Sequence, residues 1–168
     1  MTPEEAERLR ARRVRLQARV ARQKEAKRFR ELALRLRAAG VRRISRMPAS
    51  HLVEVSRKAL RLPGRDERFY WPEIPGGQCE YWFDLEHRNA AFVAALRACF
   101  SPETRLLVIW HPSESALVIG CADVIAQADL LLDKLGWSVW FIPLSCEPGL
   151  VEVAYGDQEV CWLPPPTA

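Results

Sequence analysis

Arg8, Arg12, Arg15, Arg19 and Arg22 follow one another at intervals of four, three, four and three residues. On a continuous helix that spacing sets all five side chains nearly in one line. A guanidinium stays charged at any physiological pH and presents a planar fork of donors to phosphate oxygens. The row therefore suits the backbone of a nucleic acid or another polyanion. It contains nothing that reads base edges, so little sequence preference is expected. Arg28, Arg35, Arg42 and Arg43 are assigned to the same binding surface, and Arg30, Arg37 and Arg46 extend the positive field. The plainer alternative is a solvated basic helix in an arginine-rich chain, since arginine outnumbers lysine 21 to 4.

Residues able to do catalysis are sparser. His87 stands beside Glu86, His111 precedes Ser113, Glu114 and Ser115, and Cys121 lies two residues before Asp123. Cys121 at a helix start could gain thiolate character there, yet it follows an apolar run directly, which favours a buried structural thiol. No two histidines share ligand spacing, so no metal site is expected. The sequence lacks a phosphate-binding GxxxxGK[ST] loop, a GxSxG elbow and an HExxH helix, and no cofactor is expected. Five cysteines, Cys79, Cys99, Cys121, Cys146 and Cys161, form no CxxC pair and are odd in number. Reduced thiols packed as small hydrophobes are the expectation. The reading is a non-catalytic binding protein.

The elements that would position these residues can be read from caps, breakers and periodicity. Thr2, Pro3 and Glu5 form a helix start, and no proline or glycine interrupts residues 4–39 before Gly40. A shorter helix is expected from Ala49 to Leu60. A helix-turn-helix about Gly40 is disfavoured because Pro48 would fall inside its second helix. Pro63, Pro72, Pro75, Gly76 and Gly77 mark residues 61–78 as a linker. Strands are then expected at 80–85, 105–111, 116–119, 137–144, 150–155 and 159–163, with helices at 88–100 and 122–135. The order β-α-β-β-α-β plus a hairpin predicts an α+β fold: a split β-α-β, ferredoxin-like antiparallel sheet domain with an added C-terminal hairpin. The domains are a basic helical arm at 1–60, the linker, an acidic domain at 79–163 and a tail at 164–168. An RNA-recognition motif would share this order. It needs exposed aromatics on two central strands, and only the first, with Tyr81 and Phe83, supplies them.

The net charge of +4 conceals two opposed parts. Residues 1–60 hold 18 Lys+Arg against 6 Asp+Glu, a balance of +12, and residues 61–168 hold 7 against 15, a balance of −8. Such asymmetry fits an arm for a polyanion or a clasp between oppositely charged surfaces. Asp84, Glu114, Asp129, Asp133, Glu152, Asp157 and other carboxylates, with five tryptophans after residue 80, offer a second expectation. The acidic domain would plug a basic protein, as bacterial immunity or antitoxin proteins do, through electrostatic steering and aromatic anchors. No apolar run approaches the ~18 residues of a membrane span and no signal-like apolar segment opens the chain, so a cytoplasmic protein with no membrane partner is expected.

Overall fold

The structure is a computed structural model that describes residues 2–49, 71–110, 115–133, 138–145 and 148–165. The chain divides into two compact units, 1–40 and 41–168.

The first unit is one helix, α1 (Pro3–Ala38). Its start is the expected capping box: the Thr2 hydroxyl accepts from the Glu5 amide at 3.2 Å, and the Thr2 amide donates to the Glu5 carboxylate at 2.7 Å. These bonds satisfy donors that a helix start otherwise leaves orphaned. Gly40, at φ +93°, ends the helical stretch in a conformation that costs glycine little.

The second unit is an antiparallel sheet with helices. Its elements are β1 (Ser45–Pro48), a 3-10 turn (Trp71–Glu73), β2 (Gln78–Tyr81), α2 (Leu85–Cys99), β3 (Arg105–Ile109), β4 (Ser115–Gly120), α3 (Cys121–Ala126), α4 (Ala128–Leu132), β5 (Ser138–Pro143), β6 (Leu150–Ala154) and β7 (Glu159–Leu163). Among the described residues the strand order is β1-β4-β3-β5-β6-β7-β2, and every neighbouring pair is antiparallel.

This order differs from the expected one. A ferredoxin-like sheet would seat β2 between β4 and β5. Here β3 occupies that place, while the C-terminal hairpin β6–β7 extends the sheet and carries β2 on its far edge. Residues 45–48, read as part of the arm, form the opposite edge strand against β4. Pro48 is tolerated because an edge strand pairs on one side only. A strand at this position also removes the second helix of the helix-turn-helix alternative. The helix expected at 49–60 lies, beyond Ala49, outside the described residues. The helix expected at 122–135 is interrupted at Gln127, whose φ and ψ of −118° and 27° leave the α region and separate α3 from α4.

Both faces of the sheet are covered. On one face α2 and α3 pack on the sheet and α4 packs against both helices, with Phe92 of α2 meeting Phe141 of β5 at 4.7 Å between ring centroids. On the other, Trp71 and Ile74 cover Leu107, Ile109, Ala116, Val118, Trp140, Ile142, Leu150 and Cys161. Two-sided burial explains why β3, β4 and β5 read as unbroken apolar runs rather than alternating ones.

Candidate phosphate-binding helix and the aromatic edge

On α1, with 3.6 residues per turn, Arg8, Arg12, Arg15, Arg19 and Arg22 lie within about 40° of Arg8 around the axis. All five are exposed. The same geometry separates the remaining assignments. Arg28 and Arg35 fall on roughly the opposite side of the helix, whereas Arg30 and Arg37 return to the line and are exposed there. The row thus comprises seven arginines from Arg8 to Arg37, about 44 Å at 1.5 Å per residue. Strict continuation of the four-and-three count past residue 22 lands on Ala26, Phe29, Ala33 and Leu36, so these last two are found only by helical angle. Residues 8–24 contain eight basic and no acidic side chains, so no carboxylate in that stretch competes for the guanidinium groups. Arg42 and Arg43 are exposed in the loop before β1 and belong to the second unit. Arg46 is on β1, where its Nε donates to the Ser115 hydroxyl at 2.8 Å.

His111, Ser113 and Glu114 lie outside the described residues. His87 bonds through Nε2 to Glu80 at 2.8 Å and stacks on Phe83, while its Nδ1 is buried without a hydrogen-bond partner among the described residues. Cys121 is fully buried, and burial pushes its thiol up to about 11. Cys99 is pushed up to about 12, chiefly by burial. Neither is a thiolate at neutral pH. The cysteine expectation fails at one pair: Cys79 and Cys161 are joined as a disulfide between directly opposed residues of β2 and β7. Spacing could not reveal it, because 82 residues separate the two in sequence.

Where β2 leads into α2, Tyr81, Phe83 and Leu85 are 70%, 80% and 62% exposed. Behind them Arg88 is buried between aromatic rings, its guanidinium 5.9 Å from the centroids of both Trp82 and Tyr155. Its Nε and Nη2 donate to Asn89 Oδ1 at 3.1 and 2.9 Å, and Asn89 donates in turn to Asp129. The Tyr155 hydroxyl donates to the Leu132 carbonyl, and burial raises that phenol to about 12. The cluster ties α2, α4 and the end of β6 together, so Arg88 is a packing residue stabilised by cation–π contact.

No family model, curated protein or solved structure matches the chain.

Among the described residues the acidic surface differs from its sequence reading at one carboxylate. Glu152 is buried in the face covered by Trp71, whose indole N–H donates to it. Trp71, Trp110 and Trp140 are buried too, so among the described residues the exposed aromatics of this unit are Tyr81 and Phe83 rather than those tryptophans. No described helix is long and apolar enough to cross a membrane.

Proposed function

We propose that the protein binds nucleic-acid phosphates, or an equivalent polyanion, along the arginine row of α1, as a non-catalytic cytoplasmic protein. The observation that carries this reading is the alignment of seven exposed arginines on one uninterrupted helix. If all seven neutralise duplex phosphates, the logarithm of affinity falls with the logarithm of salt at a slope of about −6, and affinity drops ~10³-fold or more between 50 and 200 mM salt.

Fluorescence anisotropy with labelled duplex and single-stranded probes tests it. The triple substitution Arg12→Gln, Arg15→Gln and Arg19→Gln should reduce the slope by about 3. Arg10→Gln, Arg13→Gln and Arg28→Gln remove the same charge off the row and should cost clearly less. Equal losses would mean diffuse attraction, and no binding at low salt would discard the proposal.

A second reading is favoured by the exposed edge at Tyr81, Phe83 and Leu85, bordered by Asp84, Glu86, Asp157 and Glu159. Apolar anchors inside an acidic rim suit a basic protein partner, as in an immunity- or antitoxin-like inhibitor. Residues 41–168 hold 12 Lys+Arg against 16 Asp+Glu, a balance of −4. A fragment starting at residue 41, which keeps β1, should then hold such a partner, and Phe83→Ala should speed its dissociation.

A further inference from the structure

Directly opposed residues of an antiparallel pair project from the same face, as do residues two apart on one strand. The pairings Cys79–Cys161 and Tyr81–Glu159 therefore build a two-by-two block on one face of the β2–β7 ribbon. The sulfurs of Cys79 and Cys161 and a carboxylate oxygen of Glu159 lie within 4.8 Å of one another. The Tyr81 hydroxyl, held by Glu159, is the fourth polar group of the block. Cys161 is fully buried and Cys79 exposed, so the pair runs from the core to the open edge of the sheet.

We propose that Cys79, Cys161 and Glu159 form a redox-gated site for a soft divalent cation of the zinc class, closed as the disulfide and open as the dithiol. Two thiolates and one carboxylate are a donor set that zinc accepts in tetrahedral geometry, leaving a fourth position for water or the Tyr81 oxygen. The backbone already holds the three donors close together, so loading requires only that the sulfurs part. A phosphine reductant attacks the exposed sulfur of Cys79, the S–S bond breaks, and its electron pair leaves on Cys161. Water supplies oxygen to the phosphine and a proton to each sulfur. The cation then displaces both protons as it binds, so its affinity rises with pH. The site needs neither α1 nor a nucleic acid, and it stands apart from the phosphate-binding proposal.

Cobalt, a spectroscopic stand-in for zinc, tests this on the full chain. After anaerobic phosphine reduction, one equivalent of Co²⁺ should produce thiolate-to-metal charge-transfer absorption in the near-ultraviolet, and Zn²⁺ should bleach it. The oxidised chain should show none. Cys79→Ser, at an exposed position, should abolish the band, and Cys146→Ser should keep it. Glu159→Gln should keep thiolate absorption but weaken binding by more than about tenfold, since even outer-shell changes cost that much. Circular dichroism in parallel reports folding: a reduced chain that folds only with the cation supports the site as well. The proposal is overturned if the reduced wild type lacks the band, if the band survives Cys79→Ser, or if the reduced chain stays unfolded with the cation present.

Discussion

Glu152 is a carboxylate buried on an apolar face of the sheet. Burial raises its pKa above the usual 4.5, opposed by hydrogen bonds from Trp71, Ser138 and Trp140, while the charge of Asp157 raises it further. The folded chain thus holds this proton more tightly than the unfolded one. Stability from this group is greatest at low pH and is lost as pH rises from about 4.5 through the raised folded value. Glu152→Gln should remove that component, so the denaturation midpoint of the variant should fall less than the wild type's across this range in urea titrations. Trp71→Phe deletes a donor to a buried acceptor and should cost about 1–3 kcal/mol at neutral pH. Gly149 is constrained by space as well as by backbone. Its φ is +146°, and a Cβ there would lie 2.6 Å from Phe100 Cε1. Gly149→Ala should therefore destabilise by about 1–3 kcal/mol in thermal or urea unfolding. Trimming Phe100 to leucine should recover part of that loss.

At the scale of elements, the register of α1 distinguishes an arginine row from mere arginine content. Inserting one alanine between Arg15 and Arg19 turns everything beyond it by about 100°, without changing charge or helicity. Seven inserted helix-forming residues turn it by only about 20° and restore the line, although its two halves then lie farther apart. Anisotropy titrations should show the single insertion weakening binding and the seven-residue insertion largely rescuing it. If the two bind equally well, alignment is irrelevant. The sheet shows a comparable dependence on placement. The hairpin β6–β7 was legible from its turn at Gly156 and Asp157, but its position inside the sheet, between β5 and β2, was not.

For the whole molecule, the unit boundary after Gly40 separates a helix with 13 Lys+Arg and 5 Asp+Glu from a domain of net negative charge. Both covered faces of the sheet are built from residues 41–168. A chain without residues 1–40 should keep cooperative thermal unfolding, followed by circular dichroism, and lose nucleic-acid binding. Retained binding would move the site off α1. The disulfide closes a loop from β2 to β7, across 82 residues of sequence, that takes in the four strands β3 to β6 between its ends. A chain-entropy argument puts its contribution at up to about 4 kcal/mol, so reduction without metal should lower the urea midpoint.

Some features needed only neighbours in sequence. The capping box at Thr2, the stop at Gly40, the strands β3 to β7 within a residue or two, and the arginine spacing all follow from dihedral preference, hydrogen-bond capping and periodicity, which act over a few residues. Tertiary structure decided what depends on distant partners. Apolar runs in β3, β4 and β5 specify strands buried on both faces, but not which strand lies beside which, because all are similarly apolar. That ambiguity hid the strand order and the edge position of β2. It also hid the pairing of Cys79 with Cys161 and the burial of Glu152, since both depend on where the C-terminal hairpin inserts. A spacing rule such as CxxC finds donors joined by a short turn, whereas the block at Cys79, Glu159 and Cys161 exists only once β2 is registered against β7.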